Sequence, residues 1–289
     1  MVAAVLGGPP SSRRGCAALP NSCFGAGVGY RIALAATVAL MPDLWTEDPR
    51  LAAVYDTECA GRDDHDFYLA LADELGAETV VDVGCGTGVF AVDLARRGHA
   101  VIGLDPAGPM LDIARERSGG LDIEWIHGVA TDVASGVADL VVMMGHVAQY
   151  FVDDVAWSQA LGQVHRILKP GGRLAFETRN PAIPWEQHWT EAQTAATMPH
   201  PGGGEFTSWV EVVEKSGHAD SYTLTHHGHT ILPSGLHLTA TESLRFRSPA
   251  EVVESLETAG FFLEQTWGGW DRSPFTSREL EMIVVAGRD

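Results

Sequence analysis

The sequence predicts an α/β fold: a doubly wound, mostly parallel sheet into which a run of antiparallel strands is inserted. Three observations carry that expectation. From Thr79 to Thr178 short apolar runs alternate with amphipathic helical stretches, and strands and helices alternating at those lengths form parallel βαβ units. A glycine-rich turn, Gly84-Cys85-Gly86-Thr87-Gly88, follows the first apolar run and opens directly into a helix. After Arg179 the alternation stops, and three extended segments joined by Gly- and Pro-bearing turns take over.

Taken in order, Pro49–Cys59 and Asp63–Leu75 read as helices, the second with Phe67, Leu71 and Leu75 on one face and Gly76 as its stop. Strand Thr79–Val83, helix Thr87–Arg97, strand Ala100–Leu104, helix Ala107–Arg117 and strand Asp122–Ile126 follow, then strand Ala138–Met144. Helix Asp154–Leu168 is strongly amphipathic, with Trp157, Leu161, Val164 and Leu168 at helical spacing and Asp153 as its N-cap. Lys169-Pro170-Gly171-Gly172 ends it and turns into strand Arg173–Thr178. The extended segments lie at about 205–215, 219–231 and 236–246, with turns at Ser216-Gly217 and Pro233-Ser234-Gly235, as an antiparallel meander requires. Ser248 then caps helix Pro249–Ala259, closed by Gly260, and strands Phe261–Trp267 and Glu281–Ala286 bring the main sheet to seven strands. The meander is thus an antiparallel insertion between strand five and the last helix. The expected division is a sheet domain at 41–180 and 247–289, with 181–246 as the inserted substrate or lid region.

The 289-residue chain is 45% hydrophobic and 20% charged, the composition of a globular protein. Its 19 basic and 38 acidic residues give a net charge of −19, a surface that repels nucleic acid. The first 40 residues differ from the rest: they carry Arg13, Arg14 and Arg31 and no Asp, Glu or Lys. Their apolar run, 32–40, is too short to span a membrane, so a disordered or spurious leader is expected rather than a targeting signal. Cys16, Cys23, Cys59 and Cys85 form no CxxC pair and no zinc-finger spacing, and reduced thiols in a cytoplasmic protein are expected.

Glycines are needed where backbone must turn sharply and lie against a ligand without an intervening Cβ, and a strand-to-helix turn in an open α/β sheet is where nucleotides bind. The spacing at Gly84, Gly86 and Gly88 is GxGxG, with Val89 where a dinucleotide site has its third glycine. The second strand ends in Asp105, placed to accept both hydroxyls of a ribose. With Asp139-Leu140-Val141 and Leu168-Lys169-Pro170-Gly171-Gly172, these features resemble the class I S-adenosylmethionine-dependent methyltransferases of small-molecule type, whose sheet is Rossmann-like. The resemblance implies S-adenosylmethionine as cofactor. It implies that Gly84, Cys85 and Gly86 wall the methionine and ribose, that Asp82 orders the turn and reaches the methionine amino group, and that Asp105 holds the ribose. Pro106 and Met110 would flank the adenine, and Gly145 would meet the methionine. The family commonly has Gly-Asp-Ala where this chain has Gly128-Val129-Ala130; the missing acid leaves the Ala130 N–H or Asp132 for the adenine amino group. Tyr55 and Arg62 are candidates to close over the cofactor.

The implied reaction is in-line displacement at the sulfonium methyl by a small-molecule N or O nucleophile, and it needs alignment and water exclusion more than a base. The acceptor should lie beyond the strand ends, near His146, Gln149 and Tyr150 or near Glu177-Thr178-Arg179-Asn180. His146 is the candidate base, with loop packing as the alternative. The Arg-Asn pair and the insertion also resemble small-molecule N-methyltransferases related to glycine N-methyltransferase. His227 and His229 share one strand face while His226 points to the other. Three ligands cannot converge without help from a neighbouring strand, so no metal site is expected. Trp185, Trp189, Trp267 and Trp270 are expected in packing or in a pocket wall. A monomer or homodimer without membrane or nucleic-acid partners completes the expectation. A non-catalytic cofactor-binding regulator and an NAD-dependent oxidoreductase are the alternatives, the second disfavoured by GxGxG and LKPGG.

Overall fold

A computed structural model of the chain describes residues 47–60 and 63–289, Asp63 by its backbone alone; the expectations for residues 1–40 and for Arg62 lie outside these. Two helices lead in: α1 (Pro49–Glu58) and α2 (Asp63–Leu75). The alternating segment gives β1 (Thr79–Val83), α3 (Val89–Arg96), β2 (Ala100–Asp105), α4 (Gly108–Ser118), β3 (Ile123–His127) and β4 (Ala138–Met143). It continues with α5 (Asp154–Ile167) and β5 (Leu168–Arg179). The insertion comprises single-turn helices α6 (Trp185–His188) and α7 (Glu191–Thr194) and strands β6 (Ala196–Pro199), β7 (Glu205–His218), β8 (Ser221–Ile231) and β9 (His237–Phe246). Helix α8 (Pro249–Thr258) and strands β10 (Phe261–Trp267) and β11 (Glu281–Arg288) complete the chain.

The main sheet has seven strands in the order β10-β11-β5-β4-β1-β2-β3. Strands β1 to β5 run parallel, while β11 lies antiparallel to both β5 and β10. This is the Rossmann-like architecture expected, with β11 inserted against the grain next to β5. Helices cover both faces, and apolar side chains fill both layers. Leu161, Val164 and Trp157 of α5 pack on one face with Val141 and Phe176. Phe67, Leu71 and Phe90 of α2 and α3 pack on the other with Val80 and Leu140. Burial on both faces explains why the strand sequences read as near-continuous apolar runs.

Local rules set the helix ends. The Asp153 carboxylate accepts from the N–H groups of Val155 and Ala156 at the start of α5, and Ser248 and Glu251 form a reciprocal capping box on α8. Two of the sequence landmarks meet at the N-terminal edge of the sheet. Asp139 accepts from the N–H groups of Glu78 and Thr79, and Lys169 donates to the same carboxylate at 2.8 Å. They tie β1, β4 and β5 together at the edge opposite the glycine turn. The second sheet has the order β6-β7-β8-β9 and is antiparallel throughout. Sequence reading missed only its short edge strand, β6.

Among the described residues no helix is long and apolar enough to cross a membrane. Cys85 is a buried free thiol, whereas Cys59 is disulfide-bonded. The expectation of four reduced thiols is corrected at that position, since spacing along a chain does not register a bond closed in space.

Candidate active site

Strand order reverses between β2 and β4 around β1, and the crevice beyond the carboxyl ends of such strands is where open α/β sheets bind ligands. Gly84, Gly86 and Gly88 follow β1 there with φ of 74°, 52° and 74°, left-handed values that L side chains adopt only at a cost. Gly88 also packs tightly: a Cβ there would lie 2.6 Å from the Trp125 ring and 2.8 Å from the Ala114 side chain. At Gly86 the nearest atom to such a Cβ is Tyr55 Cε1, 3.9 Å away. The turn therefore backs onto protein at Gly88 and faces open space at Gly86.

That space is a cavity of about 500 Å³ bounded by Tyr55 and Asp56 of α1, by Asp82, by the turn itself and by Met144; pockets of such volume are of ligand size. Asp82 is buried at the end of β1. Asp105 ends β2, and its carboxylate accepts from the N–H of Gly86 at 2.9 Å and of Ala107 at 2.8 Å. Burial lifts its pKa from the usual 3.8 to about 6, against the pull of those two N–H groups and of His127.

A second, smaller cavity lies on the far side of β2 and β4, lined in part by Leu104, Pro106, Val129, Ala130 and Phe151. Pro106 and Ala130 thus come together in one apolar slot of about 20 Å³, too small as it stands for an adenine ring. Asp132 turns away from it, because its carboxylate accepts the Val129 N–H and caps the short 3-10 turn Ala130–Asp132. Met110 is fully buried with Ala52 and Ala107, under α1, and lines neither cavity. Sequence reasoning did not anticipate the latch that holds α1 over the turn. Thr87 Oγ1 donates to Asp56 at 2.6 Å, and Arg117 of α4 reaches both the Asp56 carboxylate and the Thr87 carbonyl. No local pattern marks a contact between residues 31 and 61 positions apart.

Beyond β4 the chain passes Gly145 (φ 76°) and His146 (φ 64°) before a 3-10 turn at Val147–Tyr150. His146 is buried, its Nε2 2.8 Å from Glu281 of β11, and its backbone N–H donates to Glu177 of β5 at 2.6 Å. The other Glu177 oxygen accepts from the Tyr68 hydroxyl at 2.5 Å. Burial raises the pKa of Glu177, and lifts Glu281 to about 8 despite the nearby Arg179 charge. Arg179 points under the inserted sheet. It donates to Gln149 at 2.9 Å and stacks over Trp189 and Trp185 at 5.1 and 5.8 Å.

The inner face of the insertion adds His226 and Glu242, 3.0 Å apart. Burial, then the Arg179 charge, pushes His226 down to about 3, so it is neutral; burial also holds Glu242 well above the carboxylate range. Glu58, at the end of α1, is raised to about 8, first by burial. The two expected acceptor clusters therefore converge with a third element, the inner face of the insertion, in one buried polar layer. Asn180 does not join it. Its amide donates to the carbonyls of Thr276 and Glu279 and anchors the loop before β11. Trp185 and Trp189 pack within the insertion, and Trp267 and Trp270 pack against Phe67.

Residues 80–172 match the family model described as a methyltransferase domain. The chain is similar to the cypemycin N-terminal methyltransferase of a Streptomyces species, 27% identical over 216 residues, which cover 74% of this chain and 84% of that protein. Other curated methyltransferases are matched over about half of their length. Among solved structures, the CcbJ methyltransferase from Streptomyces caelestis superposes with a TM-score of 0.68 at 22% identity, covering 84% of this chain and 98% of that one. The sugar N-methyltransferase KedS8 from a Streptoalloteichus species superposes at 0.63 with 18% identity, over 92% and 98% of the two chains.

Proposed function

We infer that this chain, through its class I S-adenosylmethionine-dependent methyltransferase domain, transfers a methyl group to a nitrogen or oxygen nucleophile of a small molecule by in-line displacement. The observation that carries the reading is the glycine turn, open to a ligand-sized cavity at Gly86 and closed behind by the Trp125 ring at Gly88. When bound, S-adenosylmethionine supplies an activated methyl on its sulfonium. The chain's own residues bind, orient and exclude water. Gly84, Cys85 and Gly86 would wall the methionine and ribose, Asp82 would take the amino group, and Asp105 would accept from the ribose hydroxyls. Pro106 and Ala130 would flank the adenine once their slot of about 20 Å³ opens to admit the ring, with Gly145 beside the methionine. Met110 would act through Ala107 rather than by touching the ring.

The acceptor would enter between the ends of β4 and β5 and the insertion, where Arg179, Gln149, His226 and Glu242 lie. His146, held against Glu281, is the residue there that could take a proton from an ammonium or hydroxyl. Both acceptor types occur by name among the similar curated proteins, a cypemycin N-terminal methyltransferase beside magnesium-protoporphyrin and ubiquinone biosynthesis O-methyltransferases, so nitrogen and oxygen acceptors stand together in this reading. A cytoplasmic enzyme acting as monomer or homodimer belongs to the same reading. The test is calorimetry with S-adenosylmethionine and with NAD, followed by a mass-spectrometric screen of amines and alcohols for a gain of one methyl. Binding of S-adenosylmethionine but not NAD, with turnover on an amine or an alcohol, is expected. Tight cofactor binding with no acceptor methylated would make the protein a non-catalytic binder.

A further inference from the structure

The outer face of the inserted sheet carries a cluster that the methyltransferase reading does not use. Side chains alternate across a strand, so β8 sends His226 inward and presents His227 and His229 together on the outside. Glu211 of β7 stands directly opposite His227 in the register. Its Oε1 lies 3.4 Å from His229 Nε2 and 4.0 Å from His227 Nδ1, and one ligand atom from each residue falls within 4.8 Å of the others. Ligand atoms bound at 2.0–2.1 Å around a tetrahedral ion stand about 3.4 Å apart, so side-chain adjustments that shorten these separations by up to about 1.4 Å close this set on one ion.

Two further features prepare the site. His229 Nδ1 is 3.0 Å from His237 Nε2 on β9 and 3.2 Å from Thr239 Oγ1. A proton donated from Nδ1 to that side leaves the Nε2 lone pair aimed at Glu211, the outer arrangement that orients metal-binding imidazoles. Trp209 stacks flat on the His229 ring, 4.7 Å between centroids and 12° between planes, and fixes its orientation. The ligand from a neighbouring strand that a His-x-His pair needs is thus Glu211.

We propose that Glu211, His227 and His229 bind one divalent transition ion of the zinc class, with His237 as a positioning residue and a fourth coordination position open. Two imidazoles and one carboxylate suit such an ion better than magnesium or calcium, which favour all-oxygen sets. The proposal is independent of the methyl-transfer reading.

The experiment uses the full chain, free of any histidine tag, titrated with Zn²⁺ by calorimetry and with Co²⁺ by visible absorption. One ion per chain is expected, with the intense d–d bands of a four-coordinate site. His227→Ala and His229→Ala should each weaken binding at least about tenfold, and His237→Ala should weaken it less. Thermal unfolding with and without Zn²⁺ keeps the test independent of folding: the ion should raise the wild-type Tm and leave the folded double variant His227→Ala/His229→Ala unmoved. No uptake by the wild type, or undiminished uptake by the folded double variant, overturns the proposal.

Discussion

The backbone N–H of Gly86 donates to the side-chain carboxylate of Asp105, 19 residues away, at 2.9 Å. This bond joins the turn after β1 to the end of β2 and sets the width of the crevice between them. It makes Asp105 both a prop for the turn and the proposed ribose acceptor. Asp105→Ala removes both roles, and S-adenosylmethionine affinity is expected to fall at least about tenfold, since hydrogen bonds to a charged group are worth about 1.5–3 kcal/mol. Isothermal calorimetry measures it; unchanged affinity would take the ribose role away from Asp105.

The pH dependence follows from the same carboxylate. Its folded pKa of about 6 stands above the usual 3.8, so the folded state holds its proton more tightly than the unfolded chain does. Its contribution to stability is therefore full below about 4 and declines as pH rises to about 6. Binding has the opposite sign, because ribose hydroxyls need the ionised acceptor. Cofactor affinity should rise about fourfold between pH 5.5 and 7.5, the change in ionised fraction for a pKa near 6. A flat profile in calorimetry at those two values would contradict it.

Gly88 and Gly76 share a left-handed φ, 74° and 60°, but only Gly88 is crowded by Trp125 and Ala114. Gly88→Ala should cost about 2–4 kcal/mol, combining strain with overpacking. Gly76→Ala, with nothing within 4 Å of its Cβ, should cost only about 1 kcal/mol of strain. Differential scanning calorimetry should place the first variant roughly 5–10 °C below wild type and the second within roughly 4 °C.

His146 lies against Glu281 in the layer where the acceptor is proposed to enter. His146→Asn keeps a residue that tolerates its left-handed backbone and removes the imidazole. Turnover is expected to drop at least about tenfold, with cofactor affinity changing less than about threefold. Wild-type turnover would return His146 to a packing role.

Arg179 is the charge shared by Glu281, Glu242 and Glu177. Arg179→Leu leaves buried carboxylates without it, at a cost of about 3–5 kcal/mol when they are ionised. Because burial already lifts Glu281 to about 8, its carboxyl is protonated at pH 6 and ionised at pH 9. The penalty relative to wild type should therefore be larger at pH 9, as denaturant unfolding at the two values would reveal. Equal penalties would mean that Arg179 acts by packing against Trp189 and Trp185 alone.

Much of this was legible in the chain. Strand bounds such as Thr79–Val83 and Phe261–Trp267 were readable because apolar runs, turn glycines and caps are local signals. Alternation along β8 correctly sent His226 and His227 to opposite faces. What escaped was set by distance along the chain. Nothing local marks Asp56 as the partner of Thr87 and Arg117, Glu281 as the partner of His146, or Glu211 as the neighbour of two histidines. Asp139 and Lys169 were readable as family landmarks, yet their ion pair sits at the edge of the sheet away from the cavity, where it serves the scaffold.

The insertion leaves the main sheet at Asn180, whose amide is tied to the loop before β11, and returns at Arg247, which donates to the Phe151 carbonyl and to Asp154. Both anchors belong to the scaffold side of the junction, and the insertion reaches back to it: the Trp185 indole N–H donates to the Asn180 carbonyl, and Trp189 lies against Arg179. Any graft at this junction must therefore keep those two tryptophans as well as the two anchors. A β-meander from another small-molecule enzyme, spliced in on those terms, would inherit a donor half already built and bring its own acceptor preference with it.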